Sequence, residues 1–133
     1  MKVNVTPNSI IHPPLSRSSF ERILLIKPSS LGDVIHALPV LHGLRHRFSA
    51  ARIDWLIATP FAPLLEGHSQ ITELIHFDRR RFGALAMSPR VSADFLRFIA
   101  DLRRRKYDLV IDLQGLFRSG FLAFASGASV RIG

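Results

Sequence analysis

Apolar residues along this chain follow two alternating rhythms, and the alternation outlines the fold before any side-chain chemistry is considered. Residues 23–26 (ILLI) are a short continuous apolar run closed by Lys27-Pro28, the pattern of a strand buried on both faces. Then the spacing changes. Val34, Ile35, Leu38, Leu41 and Leu44 recur at intervals of three and four, which predicts a helix. Pro39 lacks the N–H that a helix interior uses, so a kink or break is expected near Ala37. Residues 53–58 (IDWLIA) read as a second strand, 61–65 as a short helix and 74–77 as the core of a third strand. An arginine-rich loop with Gly83, Ser88 and Pro89 follows, and Ser92 is expected to cap a helix whose apolar face is Phe95, Phe98, Ile99 and Leu102. Residues 109–113 (LVIDL) predict a fourth strand, 116–125 a fourth helix and 129–132 a further strand.

Strands alternating with helices over short links are the signature of parallel βαβ units. The expected fold is therefore α/β, a Rossmann-like parallel sheet flanked by helices with the first strand central. In such sheets ligands bind beyond the C-terminal strand ends. That directs attention to residues 27–33, to the loop after Phe77 and to residues 114–118. Residues 1–20, rich in Pro, Ser and Asn, read as a loose leader before a domain over 21–133.

Length and composition narrow the class. A chain of 133 residues, 47% of them hydrophobic, suits one domain with a buried core. It has no cysteine, which excludes disulfides, a thiolate nucleophile and cysteine-ligated metals, and fits a reducing compartment. No apolar run approaches the roughly 20 residues of a membrane-spanning helix, and the leader lacks a signal-peptide core. A cytoplasmic location is expected. The formal net charge is +8, which suggests an anionic partner. Much of the excess falls in residues 78–118, where ten Lys and Arg face five Asp.

The loop Lys27-Pro28-Ser29-Ser30-Leu31-Gly32-Asp33 leaves the first strand and opens the first helix. Free N–H groups there, with a glycine permitting close approach and two hydroxyls beside it, suit an anion. It is neither a GxGxxG fingerprint nor a GxxxxGK[ST] loop. Asp33 has two readings: a first-turn carboxylate favoured by the helix dipole, or a general base at a strand end. Spacing alone favours the first.

The run IKPSSLGDVIHALPVL over residues 26–41 resembles the opening motif of the lipopolysaccharide heptosyltransferases, glycosyltransferase family 9. IDWLIA, the FDRRRF stretch at 77–82 and YDLVIDLQGLFRSG at 107–120 are similar to that family in the same order, so the resemblance covers nearly all of 22–133. It implies the N-terminal, acceptor-side half of a GT-B glycosyltransferase that transfers heptose from ADP-heptose to the Kdo-lipid A inner core with inversion. It further implies that Asp33 is the catalytic base, that no metal or cofactor is required, and that the enzyme works at the inner face of the inner membrane. A second Rossmann-like domain, supplying most of the nucleotide-sugar site, is expected to lie outside this sequence, so the chain alone is expected to be inactive.

Lys27, Ser29, Ser30, Gly32, Gln114 and Arg118 are the substrate-binding candidates of the strand ends. Arg79, Arg80 and Arg81 read either as a solvated charge run or, as the family resemblance favours, as guanidinium forks for acceptor carboxylates and phosphates. Arg103, Arg104, Arg105 and Lys106 close a helix, where cations suit the dipole; a secondary attraction to an anionic membrane is open to them. Asp112 fits local hydrogen bonding better than catalysis. His42 and His46 stand four apart, but no third ligand or HExxH glutamate accompanies them, so no metal is assigned. Trp55 and the ten Phe read as packing residues. The competing readings are a non-catalytic module that binds anionic glycolipid, and a receiver-like signalling domain. A receiver needs an acidic pair after its first strand, where Lys27-Pro28 stands. Nucleic-acid binding has charge in its favour but no RNP, KH or helix-turn-helix pattern.

Overall fold

The computed structural model describes residues 19–82 and 88–133. It contains five strands, β1 (Arg22–Ile26), β2 (Arg52–Ala58), β3 (Glu73–Phe77), β4 (Leu109–Asp112) and β5 (Val130–Ile132), and four helices, α1 (Leu31–Arg47), α2 (Arg79–Phe82), α3 (Pro89–Arg104) and α4 (Phe117–Ala125). The strands form one sheet in the order β3-β2-β1-β4-β5, and every pairing is parallel. β1 is central, as its unbroken apolar run predicts.

Side chains alternate across the sheet, and this divides the core in two. Ile23, Leu25, Ile53, Trp55, Ile57, Leu109 and Ile111 pack with Val34, Ala37, Leu41 and Leu44 of α1. Leu24, Ile26, Leu56, Ile75, Phe77 and Val110 face the other way, onto Leu102 of α3 and Leu122 and Ala123 of α4. Phe20 is buried and meets Phe48 edge to face, ring centroids 5.3 Å apart. Of the expected leader, residues 1–18 lie outside the described residues, as do Gly83 and its neighbours up to 87.

Four local expectations are corrected. α1 runs unbroken through Pro39. Pro39 and Ile35, the residue whose carbonyl loses its donor, both lie on the exposed side, where water substitutes for the missing bond. The link after Ala58 is a 3-10 helix, Thr59–Leu64, with prolines at 60 and 63. Arg79, Arg80 and Arg81 form the short helix α2, started by Asp78, whose Oδ1 accepts from the Arg81 N–H at 3.0 Å. α3 begins a turn earlier than expected. Ser88 is its N-cap and Pro89 its first residue, a position where a missing N–H costs nothing. Ser92 lies inside the helix and donates its hydroxyl to the Ser88 carbonyl (3.2 Å).

Candidate functional site

The C-terminal ends of β1, β2, β3 and β4 open on one side of the sheet, and the segments that leave them carry the candidate residues. The loop after β1 is held from both flanks. Trp55, fully buried, donates its indole N–H to the Lys27 carbonyl at 3.1 Å, and the Ala58 N–H donates to the Pro28 carbonyl at 3.0 Å. From the other side the Leu113 N–H reaches the Ile26 carbonyl at 2.9 Å. Lys27 itself is only 9% exposed, and its Nζ donates to the Leu113 carbonyl at 3.2 Å.

Ser30 caps α1. Its hydroxyl donates to Asp33 Oδ2 at 2.9 Å and its backbone N–H to the same oxygen at 3.3 Å. The carboxylate is exposed. These two donations, then the nearby charge of Lys27, hold its pKa below the ordinary value of 3.8, so Asp33 is ionised throughout the neutral range. Gly32 has no protein atom within 4 Å of where a Cβ would stand. Packing does not demand a glycine there.

The other candidates gather across the loop from Asp33. Ser29 is buried and its Oγ accepts from Arg79 Nη1 at 3.3 Å. Arg79, Arg80 and Arg118 line a cleft of about 600 Å³ whose remaining wall is Thr59, Pro60 and Phe61 of the 3-10 turn, with Asp78 and Ala58. A narrower recess of about 40 Å³ joins Arg79 and Arg118 to Ser29 and Gln114. Gln114 contributes a buried Oε1 without a hydrogen-bond partner among the described residues. A buried acceptor left unpaired costs about 1–3 kcal/mol, so this oxygen is suited to a donor on a ligand or a water. Asp112 organises this corner as expected. Its Oδ1 accepts from the Gln114 N–H (2.9 Å) and Gly115 N–H (3.2 Å), and its Oδ2 from the Ser119 hydroxyl (2.8 Å).

The structure thus divides the candidates between two sides of one loop. Lys27 and Asp33 border a separate recess of about 250 Å³ with His36 and Leu113. Arg81 joins neither group; its guanidinium is ion-paired with Asp94 on α3. The wall formed by Thr59, Pro60 and Phe61 carries no motif, and sequence reading passed over it.

Sequence reading also missed a charged cluster at the opposite end of the strands. Asp54, fully buried, accepts from the Tyr107 hydroxyl at 2.7 Å and lies 3.2 Å from Arg52 and 3.5 Å from Arg105. Arg105 also donates twice to Glu73, at 2.8 Å each. Arg105 stands at the C-terminal cap of α3, a helix-end cation as expected, and its guanidinium is also the centre of an ion-pair network. His42 accepts at Nδ1 from Gln70 Nε2 at 3.0 Å. Among the described residues no helix is long and apolar enough to cross a membrane, and no group of three or more His, Cys, Asp or Glu is arranged to hold a metal ion.

Residues 95–133 match the family described as glycosyltransferase family 9 (heptosyltransferase). The chain is 37% identical over 101 residues to lipopolysaccharide heptosyltransferase 1 of Pseudomonas aeruginosa, a match spanning 76% of this chain and 28% of that protein. Two solved structures of the Escherichia coli heptosyltransferase WaaC superpose with a TM-score of 0.70. The one with ADP is 32% identical and the alignment covers 83% of this chain and 34% of WaaC. The one with ADP-2-deoxy-2-fluoro heptose is 31% identical and covers 84% and 34%. The chain therefore spans about a third of the length of the relatives it matches. Its motifs, its sheet and these likenesses together make it a member of the glycosyltransferase family 9 heptosyltransferases.

Proposed function

We propose that residues 21–133 form the acceptor-side, N-terminal half of an inverting GT-B glycosyltransferase that moves heptose from ADP-heptose to the Kdo-lipid A inner core. The reading rests above all on the cleft lined by Arg79, Arg80 and Arg118, three guanidinium groups that form no ion pair with a carboxylate among the described residues, placed beside the loop that carries Asp33. Guanidinium forks suit the carboxylates and phosphates of such an acceptor. Ser29 and the unpaired Oε1 of Gln114 supply further polar contacts for it.

In the proposed step an acceptor hydroxyl attacks the anomeric carbon of the heptose. The new carbon–oxygen bond forms as the bond from that carbon to the phosphate oxygen breaks, and the electron pair leaves with ADP. Asp33, ionised, takes the hydroxyl proton. Its low basicity suits a proton transfer that is completed late, once the attacking oxygen has become acidic. Ser30 fixes the carboxylate in place through two hydrogen bonds. The donor nucleotide is held mainly by residues outside this sequence, and the enzyme works at the cytoplasmic face of the inner membrane.

The test is a transfer assay on a form extended to the full length of its relatives, with Kdo-lipid A as acceptor and ADP-heptose as donor. Arg118→Ala should raise acceptor KM by tenfold or more and leave donor KM within twofold. Equal effects on both substrates would count against an acceptor cleft.

A further inference from the structure

The arginine cleft has a second wall that attraction for anions does not explain. Thr59, Pro60 and Phe61 line it together with Arg79, Arg80 and Arg118, and Asp78 lies among them. The two walls leave neighbouring strands side by side, since Ala58 of β2 is the register partner of Phe77 of β3. The apolar wall is held in place. It belongs to a 3-10 turn with prolines at 60 and 63, Ala62 and Leu65 behind it are buried, and Phe61 packs against the core while it lines the cleft. Asp78 is equally specific in its placing. It stands beside three guanidinium groups yet forms no ion pair among the described residues; its Oδ1 accepts instead from the Arg81 backbone N–H. The volume, about 600 Å³, suits a small organic molecule, for which sites span roughly 300–1,000 Å³, and is far more than a lone anion fills.

We propose that Phe61 and Asp78 are specificity-determining residues of this cleft, which select a sugar acid, a polyhydroxylated ring that carries a carboxylate, over a bare phosphate. The proposal rests on the reading of the cleft as the acceptor side, and it names the part of the acceptor that the cleft holds. A carboxylate side chain accepts hydrogen bonds and donates none. Asp78 therefore favours a ligand that brings hydroxyls and disfavours one that brings only negative charge. Phe61 offers an aromatic surface to the apolar C–H face of a sugar ring, and the guanidinium groups take the carboxylate. Each wall then has a partner on one ligand. A phosphate would use the arginines alone, meet Asp78 as a like charge and leave Phe61 uncovered.

The test is an NMR titration of the 133-residue chain with two probes, free Kdo and inorganic phosphate, read at the Phe61 ring and at the arginine side chains of the cleft. The wild type should bind Kdo about tenfold more tightly than phosphate, and Kdo alone should shift the Phe61 ring resonances. Asp78→Asn keeps an oxygen for the start of α2 and removes the charge, so phosphate should gain more than Kdo and the ratio of the two affinities should shrink about threefold or more. Phe61→Leu keeps an apolar side chain on the core; it should weaken Kdo about threefold and leave phosphate within twofold. Phosphate bound as tightly as Kdo, binding of neither probe, or an affinity ratio unchanged in both variants would each overturn the proposal. A Phe61 ring that Kdo leaves unmoved in the wild type overturns it as well, and that result requires no variant to fold. Failure of the acceptor-side reading looks different: Arg118→Ala in the extended enzyme then affects donor and acceptor KM alike, while the preference of the cleft for Kdo over phosphate persists.

Discussion

Arg81 and Asp94 form an ion pair that ties α2 to α3, so the three consecutive arginines of this chain do two different jobs. Four residues of helix turn the first two toward the cleft and the third toward a neighbouring helix. Arg79→Ala and Arg80→Ala should each raise acceptor KM about tenfold or more in the extended enzyme, since a charge-assisted hydrogen bond is worth about 1.5–3 kcal/mol. Arg81→Ala should leave KM within twofold. Its pair is more than half exposed on the arginine side, so the loss of stability should be no more than about 1 kcal/mol. Urea unfolding and steady-state kinetics on the three variants check both halves, and a common KM effect would erase the distinction.

Tyr107 is the single tyrosine of the chain, which makes its buried bond to Asp54 easy to read. Burial, then the donation to Asp54, pushes its pKa well above the ordinary 10.0. The unfolded chain loses the phenol proton near 10 while the folded one keeps it, so this group's contribution to stability is whole below pH 10 and falls as the pH rises further. Phenolate absorbance should therefore appear only as the chain unfolds. A reversible phenolate step near pH 10 in the folded protein is the contrary result. Tyr107→Phe should cost about 1–3 kcal/mol in urea unfolding, because it removes the donor from a buried carboxylate.

Glu73 carries the opposite dependence. Two donations from Arg105 hold its carboxyl below the ordinary 4.5. A depressed carboxylate stabilises the fold above its unfolded value, and that stabilisation is lost as the pH drops through the folded one. Thermal midpoints of the wild type should decline below about pH 4.5, and Glu73→Gln should decline less over the same interval while starting lower at pH 7. Parallel curves would exclude Glu73 as a source of the acid sensitivity.

Much of the architecture was legible because local pattern and global fold agree in it. The run at residues 23–26 is apolar at every position because β1 is central and covered on both faces. The i, i+3, i+4 spacing of α1 survives Pro39 because the ring lies on the solvent side. The site was legible only in part. Asp33 and Ser30 are neighbours in sequence, so their pairing follows from helix capping. Asp54 looks like a misplaced polar residue inside a strand until Tyr107, Arg52 and Arg105 converge on it from separate elements. Arg81 differs from Arg80 in nothing that a linear sequence displays; 100° of helical turn and the position of Asp94 separate them.

Asp33 is both a helix cap and the proposed base, and the two roles call for different substitutions. Asp33→Ala removes the acceptor that Ser30 donates to, so it disturbs the start of α1 along with the chemistry. Asp33→Asn keeps an oxygen in the same place and removes only the basicity. In the extended enzyme Asp33→Asn should lower kcat by about 10²–10⁴-fold, the usual contribution of a positioned general base, with ADP-heptose affinity preserved. Asp33→Ala should lower it at least as far and also reduce the helicity of the first turn, seen as faster amide exchange at residues 31–34. The 133-residue chain should transfer no heptose at all. Alignment of donor and acceptor can supply roughly 7–11 kcal/mol of barrier reduction, and on the function proposed above these residues, about a third the length of the relatives they match, form the acceptor side of that alignment. Heptose transfer to Kdo-lipid A is measured for the chain, the extended enzyme and both variants. Turnover by the chain alone would overturn the division of labour between two halves, and a fully active Asp33→Asn enzyme would remove Asp33 from the proton transfer.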